Sequence, residues 1–140
     1  MTETALIVGV GSGLSASLAR LFAAEGMKVH LAARNAAKLK ALADEVGGTP
    51  HACDASRPEE VDKLFASVGP SIDLVVYNAG RRVRGPVEAL DPSEVREALL
   101  IGCYGGFLVA QAAARAMLAR GAGTILLTGA SASVKGYAQS

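Results

Sequence analysis

The sequence predicts an α/β fold, a doubly wound parallel sheet with helices on both faces, and three observations carry that expectation. Short apolar runs alternate with helix-period segments along the 140 residues. A glycine-rich turn, Gly9-Val10-Gly11-Ser12-Gly13, follows the first apolar run directly. Glycine or proline punctuates most of the remaining boundaries.

Ala5-Leu6-Ile7-Val8 is a continuous apolar stretch ending at Gly9, as a strand buried on both faces should be. Leu14, Leu18, Leu21 and Phe22 then recur at helical spacing until Glu25-Gly26, where glycine marks the stop. Lys28 to Ala33 is the second strand, and Ala36 to Val46 is the second helix, closed by Gly47-Gly48. A short third strand covers Thr49 to Cys53, and Pro58 opens a third helix that runs to Val68. Asp73 to Tyr77 is the fourth strand. A helical region from Pro92 to Arg120 follows, interrupted by Gly102, Gly105 and Gly106, and Gly123 to Thr128 is the fifth strand. The order βαβαβαβαβ with right-handed crossovers places the strands 3-2-1-4-5 in one domain spanning residues 1–140. A sheet of this kind usually adds a sixth strand, so the chain is expected to stop before its architecture is complete.

Composition narrows the function. Hydrophobic residues make up 51% and charged residues 19%, a globular balance. A net charge of +1 gives no general case for nucleic acid or an anionic membrane, so any anion recognition must be local. Cys53 and Cys103 lie far apart without metal-ligand spacing, and His30 and His51 have no Cys, Asp or His at metal spacing. No metal site is expected, and the cysteines read as packing residues of a reducing compartment. Met1 to Thr4 carry an acid where a signal peptide would be basic, and no apolar run approaches a bilayer's thickness. A cytoplasmic protein is expected.

The first turn carries the chemistry. Glycines at 9, 11 and 13 let the chain reverse sharply and let backbone N–H groups approach a pyrophosphate without Cβ atoms in the way. The helix beginning near Leu14 aims its positive end at the same place. A Rossmann-type dinucleotide site follows from that position between the first strand and first helix. NAD-preferring sites place Asp or Glu at the end of the second strand to bond the ribose 2′-hydroxyl. Here the sequence reads Ala33-Arg34-Asn35, without an acid, and Lys38 lies one helical turn on. Arg34 offers a fork of donors suited to a 2′-phosphate, so NADP(H) is the expected cofactor, with NAD(H) as the lesser ligand. The missing carboxylate also counts against the third alternative, a SAM-dependent methyltransferase.

Together these segments resemble the short-chain dehydrogenase/reductase family along the whole chain. Residues Gly9 to Ser15 are similar to its Thr-Gly-x-x-x-Gly-x-Gly turn, with Val8 for the threonine and Ser15 for the last glycine. Cys53-Asp54-Ala55-Ser56 resembles the segment whose Asp bonds the adenine, although Asp54 equally suits a cap before Pro58. Tyr77-Asn78-Ala79-Gly80 resembles the Asn-Asn-Ala-Gly signature; Gly105-Gly106-Phe107 with Gln111 and Met117 resembles the fourth helix. The resemblance implies hydride transfer between nicotinamide and a carbonyl or alcohol of a small molecule, in a homo-oligomer built through the long helix. The cofactor set it implies is Gly9, Gly11, Ser12, Gly13, Leu14, Arg34, Asn35, Asp54, Ala55, Asn78, Ala79 and Gly80.

The family's chemistry uses Asn, Ser, Tyr and Lys, and here the pattern departs. The asparagine position falls on Gly102 and the serine position on Ala130, with Ser131 one place later. No tyrosine shows Tyr-x-x-x-Lys: Arg81 follows Tyr77, Leu108 follows Tyr104, and Tyr137 would need a lysine beyond Ser140. Ser131 is the one catalytic candidate, against the plainer reading of a serine in a Ser-Ala-Ser turn. The rival function is a dinucleotide-binding module without reductase chemistry. Arg81, Arg82 and Arg84 could draw in an anion, but a solvated loop is the plainer account.

Overall fold

The computed structural model describes residues 2–137. Expectations made on Met1 and on residues 138–140 lie outside the described residues. Five parallel strands form one sheet in the order β3-β2-β1-β4-β5: β1 Thr4–Val8, β2 Lys28–Ala33, β3 Thr49–Ala52, β4 Leu74–Tyr77 and β5 Thr124–Leu127. This is the order the sequence predicts. The helices are α1 Leu14–Ala24, α2 Lys40–Val46, α3 Pro58–Val68, α4 Pro92–Leu99 and α5 Gly105–Arg120.

Strand alternation sorts the core onto two faces. Ala5 and Ile7 of β1 pack with Val29, Leu31, Val76, Ala19 and Phe22 on the face covered by α1 and α2. Leu6 and Val8 pack with Val75, Val61, Leu64, Val109, Ala113 and Met117 on the face covered by α3 and α5. Because both faces of β1 are covered, all five of its residues are buried, and its run is apolar after Thr4. Asp73 fastens the far end of the sheet: its Oδ2 accepts from Thr4 N at 2.8 Å and its Oδ1 from Arg120 Nη2 at 2.8 Å.

Three expectations change. The second helix divides into a 3₁₀ turn, Ala36–Leu39, and α2, because Asn35 Oδ1 accepts from Ala37 N at 3.1 Å and caps the tighter turn. The glycines at 102, 105 and 106 do not interrupt the long helix. A π-helical turn, Leu100–Tyr104, absorbs the register change and carries α4 into α5. Pro92–Arg120 also has the length and hydropathy to cross a bilayer, contrary to the expectation of no such segment. It lies along the sheet instead, with Leu108, Val109, Ala113 and Met117 buried in the core.

The two histidines, which sequence spacing does not mark as metal ligands, meet each other across β2 and β3. His30 Nδ1 lies 2.9 Å from His51 Nε2, and the rings stack with centroids 5.1 Å apart. Burial first, then the charges of His51 and Lys28, lowers the His30 pKa to about 4, and burial also lowers that of His51. A histidine with a depressed folded pKa binds fewer protons folded than unfolded, so stability rises with pH between the two values. The thermal midpoint should therefore fall as pH drops from about 6.5 toward 4. His30→Phe should flatten that slope in calorimetric scans; an unchanged slope would show that the pair does not set it.

Candidate functional site

The carboxyl ends of β1, β2, β3 and β4 surround a cleft of about 520 Å³. A parallel sheet collects its strand ends on one edge, so residues distant in sequence meet there. Of the residues singled out from sequence, Gly9, Gly11, Arg34, Asn35, Asp54, Ala55, Asn78, Ala79 and Gly80 line this cleft. Ser12, Gly13 and Leu14 are exposed just beyond its lining, and Ser131 is also exposed and not part of it.

The glycines of the first turn divide the work differently from the sequence reading, which gave all of them amides for a ligand. Gly9 N and Val10 N are already committed, donating to Ala32 O at 3.0 and 3.2 Å. Gly9 serves by its missing side chain: its φ is +90°, and a Cβ there would lie 2.5 Å from Ala79 Cα. Gly11 and Gly13 face open space, and the amides of residues 11–14 meet no backbone acceptor among the described residues. Four amide donors at the N-terminus of α1 are thus left unpaired among the described residues, at the positive end of the helix.

Sequence reasoning missed the residue that holds this turn. Ser15 is 1% exposed, donates from Oγ to Gly9 O at 3.0 Å and accepts from Asn78 Nδ2 at 2.8 Å. One hydroxyl thus joins the glycine turn to the end of β4. A polar residue on the buried side of an otherwise apolar helix start was the available signal. Ile101 and Cys53 were also unanticipated; Ile101 reaches the cleft from the π turn within the long helix, and Cys53 from just beyond the end of β3.

At the end of β2 the exposed Arg34 and Lys38 both line the cleft, and neither forms an ion pair among the described residues. Asp54 caps its local turn, the plainer of the two roles weighed for it from sequence. Its Oδ1 accepts from Ser56 N at 3.0 Å and Ser56 Oγ at 2.6 Å, while the residue also lines the cleft. The Ser56 hydroxyl, chiefly, holds the Asp54 carboxyl below the usual range, with Arg34 and Arg57 contributing. Arg81 lines the mouth and pairs with Glu94; Arg82 and Arg84 are exposed.

Cys53 is buried and its thiol is pushed up to about 11 by burial. Cys103, read from sequence as a packing residue, is exposed on the π turn. At the end of β5, Ser131 Oγ lies 2.6 Å from Tyr137 Oη, and Lys135 Nζ sits 5.1 Å from the Tyr137 ring centroid. The Ser131 hydrogen bond, then the Lys135 one, holds the Tyr137 phenol below its ordinary value.

The cleft brings together unpaired amides at the start of α1, the cations Arg34 and Lys38 beyond β2, and small residues between them, among the described residues. Gly9→Ala should lower the thermal midpoint, by a cost of about 2 kcal/mol or more, because the left-handed φ and the Ala79 overlap act together. Ser15→Ala should cost about 1–2 kcal/mol through the two broken hydrogen bonds. Thermal unfolding checks both; a change below experimental error would remove their assigned roles.

Comparisons with known proteins agree with the geometry. Residues 3–140 match the family model described as short chain dehydrogenase. D-threitol dehydrogenase of Mycolicibacterium smegmatis is 33% identical over 133 residues, covering 89% of this chain and 51% of the relative. Galactitol 2-dehydrogenase (L-tagatose-forming) of Cereibacter sphaeroides is 30% identical over 131 residues, covering 89% and 51%. The chain thus spans about half the length of these curated relatives. Among solved structures, an actinorhodin polyketide ketoreductase with NADPH superposes with a TM-score of 0.92 at 28% identity, covering 99% of this chain and 57% of that one. A short-chain dehydrogenase from Rhodopseudomonas palustris gives 0.87 at 30% identity, covering 98% and 68%. With sheet order, glycine turn and sequence match all in agreement, the chain belongs to the short-chain dehydrogenase family.

Proposed function

We propose that this chain holds the cofactor of an NADP(H)-dependent oxidoreductase that moves hydride between nicotinamide and the carbon of a small carbonyl or alcohol. The observation that carries the reading is the pair of cations, Arg34 and Lys38, without an ion pair among the described residues and lining the same cleft as the glycine turn, where the second strand ends without a carboxylate. In this reading the amides of Gly11, Ser12, Gly13 and Leu14 receive the pyrophosphate on the helix end, and Gly9 keeps the turn close against Ala79. Arg34, Lys38 and Asn35 take the 2′-phosphate. Asp54 and Ala55 border the adenine, and Asn78, Ala79 and Gly80 floor the central part. Bound there, the nicotinamide supplies the hydride, and the protein supplies orientation and charge.

Coenzyme titration of the chain should show NADPH binding at least about tenfold tighter than NADH, and Arg34→Asp should reverse the order. Equal affinities for both coenzymes in both proteins would remove Arg34 from the site.

A second reading, a dinucleotide-binding module without reductase chemistry, rests on Gly102 and Ala130, which provide no functional side chain at the family's Asn and Ser positions. Against it stands the Ser131–Tyr137–Lys135 group at the carboxyl edge, where a serine could orient a carbonyl and a tyrosine of eased ionisation could exchange its proton. An assay with NADPH and a panel of ketones and aldehydes separates the two. Turnover that falls at least about tenfold in Ser131→Ala, with NADPH affinity kept, supports the oxidoreductase. NADPH binding without turnover supports the module. The family match gives the methyltransferase alternative no support. Exposed Leu99, Phe107 and Leu118 on the long helix favour a homo-oligomer through that surface, and free Cys53 and Cys103 suit a cytoplasmic setting.

A further inference from the structure

One position where this sequence departs from the family's pattern bonds the residue next to another. Tyr77 stands where the signature has its first asparagine, and its hydroxyl donates to the carbonyl of Ile101, beside Gly102. The two partners are 24 residues apart in sequence. Tyr77 is 4% exposed, at the last position of β4. Ile101 belongs to the π turn and lines the dinucleotide cleft.

The surroundings are shaped for this contact. A Cβ on Gly105 would lie 2.5 Å from the Tyr77 hydroxyl and 3.1 Å from Ala55 O, and one on Gly106 would lie 3.4 Å from the Tyr77 ring. Both glycines are buried and have helical backbones, so their conformation does not require glycine; the space for the ring does. A π turn is a strained register that persists where something outside the helix holds it. Here the outside agent is a phenol fixed to the end of β4. Burial pushes that phenol up to about 12, so it remains a donor across ordinary pH.

We propose that Tyr77 is a positioning residue for the dinucleotide cleft, its hydroxyl and the Gly105–Gly106 notch locking the π turn so that Ile101 stands as a wall of the site. Tyr77 contacts no ligand in this arrangement. It fixes the distance between the long helix, the end of β4 and the Ala55 loop, three elements that line or support the adenine side. The inference rests on the dinucleotide reading of the cleft for its function, but the lock itself is visible without any ligand.

The test uses the chain, coenzyme fluorescence and amide hydrogen exchange. Tyr77→Phe keeps the ring and removes only the hydroxyl. It should speed exchange at residues 101–105 and weaken NADPH and NADH by the same factor, roughly threefold to tenfold, since the lock acts away from the 2′-phosphate. Phe22→Leu, on the opposite face of the sheet, serves as a control with loss of stability alone and should leave both affinities unchanged. Gly105→Ala, which displaces the hydroxyl, should repeat the Tyr77→Phe effects and should cost less when the two changes are combined than their sum. It also serves if Tyr77→Phe fails to fold. Unchanged exchange at residues 101–105 in both variants overturns the lock. Faster exchange with unchanged coenzyme affinity, or an equal affinity loss in Phe22→Leu, overturns its positioning role. If the unmodified chain binds neither coenzyme, the dinucleotide reading fails, while the exchange measurement still decides the lock.

Discussion

The structure depends on how closely the ends of β1 and β4 approach. The backbone at Gly9 lies against Asn78 and Ala79 so tightly that no side chain fits between them, and Ser15 spans the remaining gap with two hydrogen bonds. This contact sets the width of the crevice at the point where the chain changes direction across the sheet. The elements on either side, β2 with Arg34 and β4 with Gly80, fan out from it. The cleft is thus built from backbone proximity first and side-chain chemistry second.

That ordering explains what the sequence could show. The strand order and both helix layers were legible because β1 and β4 are nearly continuous apolar runs, while α1 and α3 carry helical spacing with glycine or proline at their limits. The glycine turn, Arg34 and Asn78-Ala79-Gly80 were legible because the chemistry and position of each were distinctive. Ser15 was not, because its importance lies in meeting Asn78, 63 residues on. The π turn was hidden for a related reason. Three glycines in a helix read locally as breakers, yet the helix survives through packing against Tyr77 and Ala55, which no local pattern records.

The division of labour among the turn's amides has a similar origin. Gly9 and Val10 donate to β2, so the part of the loop nearest the sheet is structural, and the part nearest α1 remains available to an anion. Side chains around the site follow the same economy. Asn35 and Asp54 cap local turns with one oxygen and still border the cleft, which fixes their rotamers before any ligand arrives. Arg34 and Lys38 have no such anchor among the described residues, although the Arg34 charge reaches the Asp54 carboxyl.

The Asp73 anchor at the far end of the sheet carries a consequence for behaviour in acid. Its carboxylate accepts from Thr4 N and Arg120 Nη2, and the Thr4 amide, chiefly, holds it below the usual range. A carboxylate depressed in this way loses its contribution as it takes up a proton, so falling pH slackens the amino edge of the sheet while the backbone contact at Gly9 carries no charge to lose.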